Sequence, residues 1–318
     1  MSSVIEISDI ATEQPKSGWQ LFRFLCQGKI TPGNSWRKAS YRRKFMLRSM
    51  AIPFSTARLM KELSREPRLL QLLQAQPGLP CRVHRPWLSM NINRRQASKA
   101  LACHYRTLSR LLPPAVLNGY LTRHGVKLAS LTGKDEQTYT IRLGADSMMD
   151  KEGEATLMFY DAENTLLAEL TFTLCQPGGA NTLYIGGLQG PKAHVPHERI
   201  QLATKACHGL FPKRLLVEAA MALSSVLSVE EIRAVSNETH IYRSIRYRKK
   251  KQDKLHADYN GFWDSLGAAP DSKGDFILPL TMPRKAMEDI ASKKRAEYRR
   301  RYTLLDSLIE QTVNTIRR

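Results

Sequence analysis

Apolar positions recur at helical spacing through the first third of the chain and alternate with polar ones in the middle third. Trp19, Leu21, Phe22, Phe24 and Leu25 crowd a short segment that ends near Gly28, and Pro32 and Gly33 break it. Residues 35–50 mix Trp36, Tyr41, Phe45, Met46 and Met50 with Arg37, Lys38, Arg42, Arg43, Lys44 and Arg48. That mixture predicts an amphipathic helix with an aromatic face and a cationic face. It either docks on the core and solvates its cations, or turns them toward headgroups or nucleic acid. Ser55 caps a further helix through Leu63. Pro67 opens another, carrying Leu69, Leu70, Leu72 and Leu73, which residues 76–80 end. A long helix is expected over 93–112, closed by Pro113 and Pro114.

The period changes near residue 125. Tyr139, Ile141 and Leu143 alternate, as do Ala155, Leu157 and Phe159, and then Leu166 through Leu174. Residues 161–164 read as a hairpin connection, and Thr182–Leu188 follows a Pro-Gly-Gly break. Residues 137–188 are therefore expected to form an antiparallel meander of about four strands. Helical spacing returns over 197–208 and again from Pro212, which suits a first helical turn. A strand at Glu231–Val235, a helix over Tyr259–Leu266 stopped by Gly267, and a strand at Phe276–Leu280 follow. Residues 284–318 read as one long basic amphipathic helix. The fold class expected is α+β, an α/β layer. Its expected parts are a mainly helical region (1–125), a mixed, largely antiparallel sheet with flanking helices (126–283) and the terminal helix (284–318).

Composition adds a partner class. The 318 residues include 49 Lys and Arg against 29 Asp and Glu, a net charge of +20, with 42% hydrophobic residues. A field of that sign attracts phosphate, anionic headgroups, nucleic acid or nucleotide cofactors; a generally basic, soluble surface is the plainer alternative. The start of the chain is acidic and polar, with no apolar core of a secretory signal. No run approaches the roughly 18 apolar residues of a membrane span, and the lipidation motifs fail. Five scattered cysteines without a CxxC pair favour a reducing compartment. The expected location is cytoplasmic or peripheral at the inner membrane.

Several catalytic signatures are missing. There is no GxGxxG after a strand, no GxSxG elbow, and GGLQGPK lacks P-loop spacing. Pro196 separates His194 from His197 and prevents a helical zinc pair, so no metal is expected. The element order is informative. A strand meander leads to IGGLQGP, a helix entered at HGLFPKR, the strand EIRAV, Asn237, and FWDSLG before a strand. This resembles the GNAT acyl-CoA N-acyltransferase layout. The resemblance implies an acyl-CoA-type donor, its phosphates at the start of the helix opened by Pro212. There, free backbone N–H groups and the helix dipole bind anions. The residues carried onto that site are Gln189, Gly190, His208, Gly209, Lys213, Arg214 and Asn237. The GNAT glycine cradle itself is absent, with only Gly209 nearby. That leaves open a protein with the layout and no acyl transfer.

A second resemblance spans most of the chain. HRPWLSMNI (84–92), HYRTLSRLLP (104–113), YIGGLQGP (184–191), ATKACHGLFPKRLLVEA (203–219), AVSNETHIYRSIRYRKKK (234–251), ADYNGFWDSLGA (257–268) and SKKRAEYRRRYTLLD (292–306) are similar to motifs of the VirK/YbjX family of Gram-negative bacteria. The resemblance implies a virulence- and envelope-associated protein of unknown biochemical activity. Surface display of outer-membrane factors and resistance to antimicrobial peptides belong to what it implies.

Within these motifs, His240 qualifies as a general base by its ordinary pKa of about 6.5, and Asp258 and Tyr259 as an acid/base pair; capping and core packing are the structural alternatives. Tyr242, Arg246, Arg248, Lys249 and Lys250 interleave aromatic and cationic groups, a pattern for anion or nucleic-acid binding or for a solvated loop. Three functions follow. The first is an acyltransferase-like protein of envelope modification. The second is a non-catalytic adaptor or chaperone-like factor for anionic lipid or a protein client. The third is a nucleic-acid binder acting after transcription.

Overall fold

A computed structural model describes residues 14–145, 148–251 and 258–317, apart from the side chains of residues 249–251. The helical region begins with α1 (Gly18–Gln27), started by the Ser17 side chain accepting from Gln20 N–H and stopped by Gly28 in the left-handed region at φ 79°. It continues with α2 (Asn34–Arg37), α3 (Ala39–Ala51), α4 (Pro53–Leu63), α5 (Leu69–Ala75) and a 3-10 turn at Leu79–His84. α6 (Arg94–Leu111) opens on a reciprocal capping box between Asn93 and Gln96, and α7 (Pro114–Tyr120) follows. The single helix expected over 35–50 is two helices. Lys38 is extended between them, and Trp36 turns inward to donate its indole N–H to Pro77 O at 2.7 Å.

The sheet region supplies β1 (Val126–Thr132), β2 (Thr138–Gly144), β3 (Ala155–Tyr160), β4 (Leu166–Cys175) and β5 (Thr182–Gln189). Then come α8 (His197–Ala206), α9 (Pro212–Val226) and β6 (Glu231–Ala234). α10 (Ile245–Lys251), α11 (Tyr259–Asp264), β7 (Ala269–Pro270), β8 (Phe276–Leu278) and α12 (Ser292–Arg317) complete the order. The terminal helix thus starts eight residues later than its expected first residue, 284. The strands form one sheet in the order β1-β2-β3-β4-β5-β6-β8-β7. Every pairing is antiparallel except β5 with β6, which is parallel. The fold is α+β, as expected, and the meander of β2 to β5 is present.

β3, β4 and β5 are buried at nearly every successive position. Side chains alternate between faces, so such burial needs a helical layer on each. α6 packs on β4, and so does α9. α12 crosses α9 and runs along the edge strand β1. There Gln311 accepts from Ser130 N–H and donates to Ser130 O, each at 2.9 Å, and Thr315 donates to Leu128 O. The backbone edge of β1 is thereby paired by side chains of a helix.

A buried ion pair joins the helical layer to the sheet. Arg82 is fully buried and donates through Nε to Glu154 Oε1 at 2.6 Å, through Nη1 to Asp150 at 2.9 Å, and through Nη2 to Gln76 at 2.8 Å. Glu154, also fully buried, accepts from the Tyr105 hydroxyl at 2.5 Å, and its main-chain oxygen accepts from Tyr120 at 2.9 Å. Burial opposes the guanidinium charge, but Glu154 and Asp150 outweigh it and hold Arg82 above its usual pKa. Arg85 also donates to Asp150.

Two predictions follow from these buried groups. Arg82→Ala leaves Glu154 without its guanidinium and destabilises the fold by about 3–5 kcal/mol, read as a lower urea midpoint. The double variant Arg82→Met/Glu154→Met is less destabilised than either single change. Buried neutral histidines make the fold sensitive to acid. Burial holds His104 down at about 3, and burial followed by Arg48 and Arg94 holds His84 at about 4. Each stays neutral in the folded chain while the unfolded chain protonates near 6.5. Their contribution is complete above pH 6.5 and is lost as pH falls toward 4. Urea midpoints measured from pH 7 to pH 4 should therefore fall, and the fall should shrink in His104→Gln.

Candidate functional site

β5 runs on to Gln189, but its pairing with β6 ends at Ile185 with Ala234, followed by one bond from Val235 N–H to Ile185 O at 3.0 Å. Beyond that point the two parallel strands part. α11 fills the fork. Its Tyr259 hydroxyl accepts from Leu188 N–H at 3.1 Å, and Trp263 donates its indole N–H to Val235 O at 2.9 Å.

Glu152 reaches the same point from the segment before β3. It is fully buried. Gln189 Nε2 donates to both of its carboxylate oxygens, at 3.0 and 3.1 Å, and the Tyr242 hydroxyl is hydrogen-bonded to it. The glycine pair of YIGGLQGP makes this approach feasible. A Cβ on Gly187 would lie 1.8 Å from Glu152 Oε2, and one on Gly186 would lie 2.0 Å from Glu152 O. The close approach that the two glycines allow is therefore to the chain's own carboxylate.

His240 faces Glu152, its Nε2 3.9 Å from Oε1. Its Nδ1 accepts from Tyr242 N–H at 3.3 Å, which puts the proton of the neutral ring on Nε2, toward the carboxylate. Burial, then Arg243, lowers its pKa to about 4. The ring lies 4.8 Å from that of Tyr242 and 5.1 Å from that of Tyr259. Burial, then the Glu152 charge, raises both phenols, so they stay protonated at neutral pH. The motif HRPWLSMNI positions these groups. Leu88, left-handed at φ 68°, donates its N–H to Lys151 O at 2.8 Å. Met90 donates to Thr239 O at 2.8 Å, and Ser89 bridges to His240.

The structure thus brings Gln189, His240, Tyr242 and Tyr259 together around Glu152, a residue the sequence reading did not single out. Asn237 and Asp258 serve the frame. Asp258 is exposed and caps α11, accepting from Gly261 N–H and from Asn237 Nδ2, each at 3.1 Å. These bonds, the backbone one first, hold its carboxyl below the usual range. Asn237 Oδ1 accepts from Tyr259 N–H at 2.9 Å.

The residues at the start of α9 divide further. Lys213 lies beside Gly190, with burial lowering its pKa. Arg214 pairs with Glu218 at 2.8 Å. His208 and Gly209 form a left-handed turn whose carbonyl at His208 accepts from Arg301 at 2.8 Å. Burial, then Arg300 and Lys134, lowers the His208 pKa, so this corner carries a positive field. Below it lies a cavity of about 530 Å³ between α9, α12 and residues 280–285. Arg246 and Arg248 are exposed on α10; the side chains of Lys249 and Lys250 lie outside the described residues. Among the described residues, no three His, Cys, Asp or Glu side chains cluster to hold a metal, and no helix is long and apolar enough to cross a membrane.

Comparison with known proteins places the chain. A family model described as "Protein of unknown function (DUF535)" matches residues 34–314. The uncharacterized protein YbjX of Escherichia coli (strain K12) is 49% identical over 301 residues, which is 95% of this chain and 91% of that protein. An uncharacterized protein of Haemophilus influenzae (strain ATCC 51907 / DSM 11121 / KW20 / Rd) is 32% identical over 162 residues, 49% of this chain and 51% of that protein. Glu152 and the residues around it in this chain lie within the stretch that the family model matches, and the chain belongs to the DUF535 family.

Proposed function

We propose that the chain is an acyltransferase-like protein of envelope modification, working at the cytoplasmic face of the inner membrane, with its reaction centre at the β5–β6 fork. The observation that supports this most is Glu152. A fully buried carboxylate is costly, and here it meets an amide, a phenol and an imidazole where two parallel strands part. Buried titratable groups with shifted pKa values, gathered where parallel strands part, are the kind of arrangement found at reaction centres. Glu152 suits the base role better than His240, whose free nitrogen already carries its proton. An amine or hydroxyl acceptor attacks the thioester carbonyl and passes its proton to Glu152. The C–S bond breaks, and the departing thiolate takes a proton from the Tyr259 hydroxyl; the phenolate then regains a proton from solvent and Glu152 releases the one it took, which resets both groups. Lys213, beside Gly190, supplies positive charge for the donor phosphates.

A second reading has its own support. Tyr259 and Trp263 complete the hydrogen bonds of the parted strands from within. That suits a factor that keeps the layout without the chemistry and acts as an adaptor for anionic lipid or a protein client.

Thermal stability with acetyl-CoA and with a long-chain acyl-CoA separates the two. The transferase reading expects a rise equivalent to about 2.7 kcal/mol at a hundredfold excess over Kd. The rise should be lost in Lys213→Ala and kept in Glu152→Gln, while Glu152→Gln lowers transfer by about 10²–10⁴-fold. No rise with either donor overturns it and leaves the adaptor.

A further inference from the structure

The outer side of the helical layer departs from the usual surface of a soluble protein. α1, α3 and α4 enclose an open groove of about 830 Å³, floored by Phe22, Met60 and Thr56. α1 and α4 meet closely, since a Cβ on Gly18 would lie 2.6 Å from Lys61 N. Large apolar side chains stand out along this layer instead of closing over the groove. Trp19 is 68% exposed, Met50 67% and Phe54 89%, with Met46 and Leu47 beside them on α3. Trp19 stacks on Phe22 with ring centroids 5.6 Å apart, so it is held in place at the rim. Contiguous exposed apolar surface of this kind marks an interaction site.

Charge says what the site meets. Residues 14–61 contain eleven Lys and Arg and no Asp or Glu, more than half of the net charge of +20 in less than a sixth of the chain. Arg43, Lys44 and Arg48 are exposed on α3, the helix that carries Met46 and Met50, and Lys16, Lys61 and Arg65 line the groove. The first acidic groups after this stretch are already engaged, Glu62 by Arg106 at 2.6 Å and Glu66 by Ser109 at 2.6 Å. Apolar and aromatic side chains projecting through a layer of cations match the order of groups met on entering an anionic bilayer, headgroup first and acyl region beneath.

We propose that the α1–α3–α4 face docks on an anionic lipid bilayer, with Trp19, Met50 and Phe54 inserted below the headgroups and the α3 cations at headgroup level. The surface is separate from the β5–β6 fork, and its test is independent of any acyl-donor binding.

Trp19 is its own reporter, because Trp36, Trp87 and Trp263 are at most 1% exposed. The full chain is mixed with vesicles rich in phosphatidylglycerol and with vesicles of phosphatidylcholine alone, each with and without brominated acyl chains. Cosedimentation with the anionic vesicles is expected, with bromine quenching of a fluorescence component that Trp19→Phe removes. Met50→Ser/Phe54→Ser should weaken binding by about tenfold or more with melting temperature unchanged, since both side chains are exposed. Binding that fades with salt but shows no quenching overturns the proposal in favour of a merely cationic surface. Absence of vesicle binding overturns it too. So does a concentration-dependent dimer that Phe54→Ser disperses, which would make the groove a face between two copies.

Discussion

Arg82 holds the two halves of this architecture in one place. It comes from the 3-10 turn of the helical layer and ends in the carboxylates of Glu154 and Asp150, at the mouth of β3. A buried pair of this kind adds little net stability over an apolar substitute, but it tolerates almost no displacement. Gln76 and Tyr105 add hydrogen bonds to the pair and Tyr120 holds the Glu154 main-chain oxygen, so the contact is fixed from several sides. Only Gly153 separates Glu154 from Glu152. Fixing one carboxylate therefore fixes where the other enters the fork, and the ion pair that registers the layers also registers the site.

The fork is built by restraint on every side. β5 contributes two glycines that leave room for a carboxylate, α11 contributes the phenol and indole that finish the strands, and the loop at Leu88 and Ser89 pins the peptide groups on both flanks. Its polar groups are buried and bonded to one another, except His240 Nε2, which faces Glu152 at 3.9 Å. An assembly of that sort sacrifices the hydration of its members, and only a rigid surround keeps them from rearranging to recover it.

Much of this was legible in the residues. Alternation located β2 to β5, and proline signals located the end of α6 and the start of α9. The polar residues of YIGGLQGP, THIY and DYNGFW were singled out, and Gln189, His240, Tyr242 and Tyr259 do meet. Glu152 was not legible, because Asp-Lys-Glu-Gly-Glu reads as a solvated turn; only its burial, contributed by strands and loops distant in sequence, changes its character. Asp258 illustrates the converse. Its position three residues before Gly261 makes it a helix cap, and local geometry spends its charge. β1 was missed as a separate strand because a bulge between Lys127 and Ala129 buries Leu128 and Ala129 in succession and breaks the alternation, and what stabilises it is far away in the chain.

That distance has a consequence for biosynthesis. The backbone of Ser130 is completed by Gln311, 181 residues later. A ribosome emits β1 and its partner strands long before the helix that seals them. During that interval the nascent sheet presents a bare edge able to pair with any extended segment nearby. The chain's yield in the cell is then governed by what shields that edge during translation as much as by the stability of the finished fold.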